Sequence, residues 1–267
     1  MHDLPPNDNS AGEAGHIRLS KRVAGMRGCS RREAEWLIEG GWVQVDGRMT
    51  EAPGARVRPD QDVVVAQNAK AEEAPPVTLL LHKPAGWEAG IGHGPAGDPR
   101  QARSGGAPDA GTLLEPGNRY VGDSPPVRVL QRHFRQQECF TPLADAASGL
   151  VVYTQDRRMA RRLAEDIELL EQECIATVEG RIAEGGLERL CRGLEFNGRP
   201  LPPAKVSWQS ETRLRFALKG IRPGQIPAMC EAVGLQVTAL KRLRIGRVSL
   251  AKVPEGQWRY LLPWERF

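Results

Sequence analysis

The sequence predicts an α+β protein in two parts: a small N-terminal module of two helices plus a hairpin, and a larger domain on a mainly antiparallel sheet. Three observations carry this. The first 66 residues hold two helical patterns, a capping box and a two-residue turn signal. Beyond residue 77, short strand-like runs outnumber helical patterns, with few helices between them. Between the two lies the polar, Ala-rich stretch 67–76, closed by Pro75-Pro76, which reads as a linker. At 267 residues the chain is long enough to bury a real core in one large domain or two smaller ones.

Residues 1–15 carry Pro, Asn, Asp and Gly and read as a disordered tail. They have neither the basic n-region nor the apolar h-region of a secretory signal, so the chain is expected to stay in the cytoplasm. The module occupies 16–66. From Ile17 to Arg32 there are six cations, Arg18, Lys21, Arg22, Arg27, Arg31 and Arg32, and no anion. Ile17, Val23, Ala24 and Met26 fit a short helix broken at Gly28. Ser30 and Glu33 form a capping box opening a second helix, Arg31 to Ile38, which Gly40-Gly41 ends in the left-handed conformation. Trp42 to Val45, the turn Asp46-Gly47 and Val63 to Val65 supply the hairpin.

The larger domain, 77–267, opens with the buried strand Thr78 to Leu81 and the loop Lys83-Pro84-Ala85-Gly86. Residues 88–126 are crowded with Gly and Pro and read as a long surface loop or disordered insertion. Order returns with the strand Gly149 to Thr154 and a helix over Arg157 to Leu170, with Met159, Leu163 and Ile167 on one face. Strands follow at Cys174 to Val178, Lys205 to Trp208 and Arg213 to Leu218, with a helix at Leu187 to Arg192. A helix at Ile226 to Val233, stopped by Gly234, precedes strands at Gln236 to Leu240, Arg247 to Leu250 and Gln257 to Leu261. No internal repeat is visible.

Composition excludes several classes. No apolar run approaches the roughly 18 residues a membrane helix needs. The five cysteines (Cys29, Cys139, Cys174, Cys191, Cys230) are odd in number and scattered, which argues against a disulfide scaffold or a zinc ribbon. His82, His93 and His133 have no ligand spacing, so neither metal nor cofactor is expected. With no His near it in sequence, Cys174 reads as a buried structural thiol, and Trp36 and Trp42 as core of the small module. A net charge of +4 decides nothing by itself; the basic run is either a solvated helix face or a phosphate-binding surface.

These segments, in this order, resemble bacterial pseudouridine synthases of the RsuA/RluF type, which join an N-terminal S4 RNA-binding module to a catalytic domain. The resemblance runs through Arg18 to Ala24, Gly28 to Ile38 and Gly41 to Gly47, then His82 to Gly86, Leu240 to Leu250 and Gly256 to Leu261. It implies a pseudouridine-synthase-like domain over 77–267 and RNA, ribosomal in this family, as partner, with the protein a monomer and no membrane involved. It also turns the basic run toward phosphate contacts through Arg18, Lys21, Arg22, Arg27, Ser30, Arg31 and Arg32. Lys241, Arg242, Arg244 and Arg247 form either a second basic patch or the exposed face of a strand.

The family's catalytic motif reads Gly-Arg-Leu-Asp, followed by Gly-Leu and a Thr. Aligned on Leu143, Gly149, Leu150 and Thr154, it puts Ala144 where the resemblance expects the essential Asp. Asp145 follows one residue later, and in an extended segment a one-residue shift turns the side chain to the opposite face. The family's Lys-Glu-Tyr strand aligns with Gln172-Glu173-Cys174, so the stacking ring is absent. The segment supplying an Arg to pair with the catalytic Asp aligns with Pro223 to Met229, where Gly224, Pro227 and Ala228 replace the arginines. The reaction needs a carboxylate within about 3 Å of the sugar or base. Three readings follow: an RNA-binding protein with a decayed active centre, a working synthase that uses Asp145 as its catalytic carboxylate, and a protein-binding adaptor on the same scaffold.

Overall fold

A computed structural model describes residues 15–90, 106–122, 127–192 and 194–267. The chain separates into two compact units, 1–75 with 128–133, and 76–127 with 134–267.

In the first unit, β1 (Ile17–Arg18) leads into α1 (Leu19–Arg27), which ends at Gly28 in the left-handed conformation, φ 63°. Glycine adopts this without strain. In α2 (Arg31–Glu39) the Ser30 side chain accepts from the Glu33 amide, and the Glu33 carboxylate accepts from the Ser30 amide. These bonds hold Glu33 below the usual carboxylate range. Of the pair closing α2, only Gly41 is left-handed, at φ 67°; Gly40 stays at φ −77°. The antiparallel sheet of β2 (Val43–Val45), β3 (Arg48–Met49) and β5 (Val63–Val65) turns at Asp46 and Gly47, both at positive φ, while β4 (Arg56–Val57) pairs with β1. Leu19, Val23, Ala34, Leu37, Ile38 and Val43 form its core.

The second unit holds β6 (Thr78–Lys83), β7 (Glu138–Cys139), β8 (Ala147–Thr154), α3 (Arg157–Asp166), β9 (Glu171–Gly180), α4 (Gly186–Cys191), β10 (Glu195–Phe196), β11 (Arg199–Pro200), β12 (Lys205–Ser210), β13 (Arg213–Lys219), α5 (Gln225–Glu231), β14 (Leu235–Ile245), β15 (Val248–Ser249) and β16 (Trp258–Tyr260). Its main sheet orders β12-β13-β9-β14-β8-β6-β16, with β15 on β14 and β7 on β8. All these pairs are antiparallel except β14 with β8. β6 and β8 are buried along their whole length, so they read as continuous apolar runs rather than alternating ones. Leu80, Leu150 and Val152 share one face with Leu163 of α3. That helix stops at Asp166, short of the expected Leu170, because Asp166 O takes both the Leu169 and Leu170 amides in a closing turn.

The Gly/Pro-rich stretch differs from its composition. Residues 91–105 and 123–126 lie outside the described residues, as does the tail 1–14. Residues 106–122, however, form 3-10 turns at Ala110–Leu113 and Pro116–Asn118 and bury Ala110 and Leu114. Glu115 O accepts from the Trp258 indole at 2.7 Å, and the Arg119 guanidinium lies over the Tyr260 ring. A few well-placed side chains anchor a segment whose average composition resembles a loop.

Two buried imidazoles give the fold a pH signature. Burial, with Arg132 beside it, takes His133 down to about 4, and burial also lowers His82, whose Nδ1 lies 2.6 Å from Val253 O. Both are neutral when folded, while the unfolded chain protonates them below about 6.5. Their stability is therefore complete above that pH and is lost as pH falls toward 4. The His133 shift corresponds to about 2 kcal/mol at pH 5, before carboxylates held low, such as Glu265 and Glu173, contribute much. Urea unfolding at pH 7 and pH 5 should show this loss, and His133→Gln should remove most of it. An unchanged pH difference in that variant would place the loss elsewhere.

Candidate functional site

One row of residues crosses the sheet of the second unit: Phe216 on β13, Cys174 on β9, Arg242 on β14, Gly149 on β8 and Lys83 on β6 are successive partners. The residue between Arg242 and Lys83 must be glycine. Gly149 has φ +122°, and a Cβ there would lie 2.3 Å from Arg242 O and 2.5 Å from Arg242 N. On either side stands a buried cation. Arg242 donates to Thr141 O at 2.6 Å, Leu150 O at 2.8 Å, Pro142 O at 3.0 Å and Gln172 Oε1 at 3.2 Å. Lys83 donates to Trp87 O at 2.6 Å, Pro84 O at 3.0 Å and Asp145 O at 3.2 Å.

These bonds fix loop 141–145 from both sides. Burying a charge with no carboxylate in hydrogen-bond contact is costly unless oriented dipoles replace water, and the collected carbonyls do that. The residual cost shows in protonation. Burial takes the Lys83 ammonium down to about 8, against the attraction of the Asp145 carboxylate, and lowers Arg242 as well. Register shifts between Val237 and Ala239 and between Arg242 and Arg244 on β14 frame the site, as bulges often do beside clefts.

The loop, the row and the N-terminal part of α5 line a cleft that is open to solvent. Its lining includes Pro142, Ala144, Gln172, Cys174, Pro223 and Pro227, so the positions that the resemblance aligned with an active centre share one cleft. No Asp or Glu is among the lining residues. Cys174 is 2% exposed, and burial raises its thiol to about 11, which leaves it protonated at neutral pH. Asp145 is exposed on the turn closed by Ala147 N to Ala144 O, outside the lining residues; its carbonyl also accepts from Gly86 N. Among the described residues no group of three or more His, Cys, Asp or Glu is placed to hold a metal.

The expected RNA contacts divide. Arg18, Lys21, Arg27, Arg31 and Arg32 are exposed on the first unit. Arg31 makes an i,i+4 ion pair with Glu35 at 63% side-chain exposure, and Arg32 lies over Trp36. Both guanidinium groups keep a face open to water. Arg22 is instead spent on the carbonyls of Arg58, Pro59 and Gln61, and Ser30 on its cap. Of the four cations weighed as a second patch, only Arg247 is exposed. Arg242 is only 4% exposed and saturated by carbonyls, correcting its placement on an RNA surface; alternation on β14 puts it on the inward face with Leu240. Arg244 is neutralised by Glu171 at 2.7 Å and Glu173 at 3.3 Å, and Lys241 is half-buried. Sequence reasoning missed Lys83 as the second clamp; its place at the end of an apolar run was the available signal.

The S4 domain family matches residues 17–63. A crystal structure of a pseudouridylate synthase shares the fold, with a TM-score of 0.55 and 18% identity, covering 92% of this chain and 96% of that one. An S4 domain joined to a pseudouridine-synthase-type sheet is therefore the class of the molecule. An uncharacterized RNA pseudouridine synthase of Mycobacterium leprae is 30% identical over 254 residues, 93% of this chain and 90% of the relative. Ribosomal small subunit pseudouridine synthase A of Escherichia coli is 27% identical over 248 residues, 92% of this chain and 96% of the relative. The chain belongs to the RNA pseudouridine synthase family.

Proposed function

We propose that the chain is a cytoplasmic, monomeric RNA-binding member of its family that grips structured RNA, ribosomal RNA first among candidates, while its cleft does not isomerise uridine. One observation carries this reading: the cleft has Ala144 on the clamped loop, Cys174 on β9 and Pro227 on α5, and no carboxylate in its lining. A uridine can leave its stack for such a cleft. Nothing lining the wall can serve as the nucleophile or base that breaks its glycosidic bond. The relatives' names support RNA as the partner. The test is RNA binding without pseudouridine formation.

A second reading, a working synthase that uses Asp145, is favoured by one fact: Asp145 adjoins Ala144 on the same turn. Reaching the cleft would require the turn to reverse and Lys83 to lose a carbonyl acceptor.

RNA affinity is assigned mainly to the S4 domain. Replacing Arg31 and Arg32 by Ala should weaken binding about equally for different structured RNAs. The log-log salt slope should flatten by about 0.7 to 0.9 for each phosphate that the variant no longer holds. Unchanged affinity and slope would mark both cations as merely solvated, and absence of RNA binding by the wild type would favour the adaptor reading.

A further inference from the structure

Beside the cleft, in the same unit, a second, solvent-open hollow is lined by Arg199, Lys219 and Arg222, with Glu168 as its one carboxylate. Arg222 lines both spaces. The local chain explains the convergence. The hairpin of β10 and β11 delivers Arg199, and β13 ends at Lys219. Gly220, at φ +60°, then turns the backbone toward Arg222, whose amide donates to Gln225 Oε1 at 3.1 Å.

The three cations contrast with other arginines of the unit. Arg215, Arg244 and Arg259 each hold a carboxylate at 2.6–2.8 Å. Arg199, Lys219 and Arg222 make no ion pair or side-chain hydrogen bond among the described residues; Lys219 adds only a longer-range attraction to Glu171. A concave site with three uncommitted cations facing one carboxylate favours a small anion with several acceptor oxygens.

We propose that this cavity binds a backbone phosphate of the RNA strand whose neighbouring nucleotide enters the cleft. The proposal rests on the RNA-binding reading and adds a phosphodiester subsite to it. Arg222 is the reason to prefer a strand over a free phosphate: chain running from one space to the other must pass it. The subsite orients RNA over the cleft whether or not chemistry follows.

The test uses the full chain and a uridine-looped RNA hairpin, with affinity measured over a range of salt concentrations. Arg199→Gln combined with Lys219→Gln leaves Arg222 in place. Arg157→Gln with Arg158→Gln removes the same charge from exposed positions on α3. The first pair should weaken binding about tenfold and lower the salt slope by about 0.7, with the control pair nearly silent and both variants melting like wild type. Equal losses from both pairs would reduce the effect to the general field and overturn the subsite, and no loss from the first pair would show it empty. If inorganic phosphate displaced the hairpin from wild type as readily as a competing RNA does, the site would belong to free phosphate. A wild type that does not bind the hairpin would sink the RNA-binding reading, and this proposal with it.

Discussion

Gly149→Ala should destabilise the sheet unit by about 3–5 kcal/mol, enough to lower its unfolding temperature by roughly 10 °C. Two costs combine. At φ +122° any L side chain is strained. The added methyl would also meet the backbone of Arg242, which cannot move without parting β8 from β14 and disturbing the guanidinium that gathers Thr141, Pro142 and Leu150. Gly86→Ala is the control. Its φ is +84°, yet nothing lies within 4 Å of the new carbon, so only the conformational strain remains, about 1 kcal/mol. Equal losses for the two variants, read by denaturant unfolding, would show that the strand pair yields and that the row across the sheet is not rigid.

Where periodicity and local chemistry were strong, the sequence was readable. The capping box at Ser30 and Glu33 and the turn at Asp46-Gly47 each rest on bonds or angles local to a few residues, whereas α5 ends at Glu231, ahead of the expected stop at Gly234. The positions lining the cleft were readable only through the family pattern, because Pro142, Cys174 and Pro227 come from three separate segments. Arg242 was misread for a physical reason: its burial depends on carbonyls contributed by residues 92 to 101 positions away, which no local pattern reveals. Lys83 is a mixed case: Pro84 O and Trp87 O are local acceptors, and only the one on Asp145 lies 62 positions on. Charge in a sequence suggests solvent by default, and both residues defeat that default by collecting backbone carbonyls, Arg242 from distant segments and Lys83 mostly from its own following loop. Residues 106–122 form a surface segment held by single contacts, such as Trp258 to Glu115 O, which composition does not reveal.

The purified protein is expected to bind structured RNA and leave its uridines unconverted, scored by carbodiimide-dependent reverse-transcription stops. Ala144→Asp alone should not create activity. It would put a carboxylate in the cleft, but Cys174 still stands where a stacking ring is expected and Pro227 where a pairing cation is expected. Without a ring, the few kcal/mol spent in extracting the uridine are not recovered by stacking. Of the two cations lining the cleft, Arg242 does not fill that role, because its donors are committed to Thr141, Pro142, Leu150 and Gln172, and Arg222 stands where the cleft meets the neighbouring hollow, to which its phosphate contact is assigned. The competing outcome is equally definite. If the turn at 144–147 reverses on RNA so that Asp145 enters the cleft, wild type makes pseudouridine, and Asp145→Asn abolishes it with RNA affinity unchanged. That variant keeps the Asp145 carbonyl on Lys83 and removes only the carboxylate charge, so loss of conversion could not be blamed on a broken loop. Pseudouridine from wild type and none from Asp145→Asn would overturn the proposal of a silent cleft and make Asp145 the catalytic carboxylate.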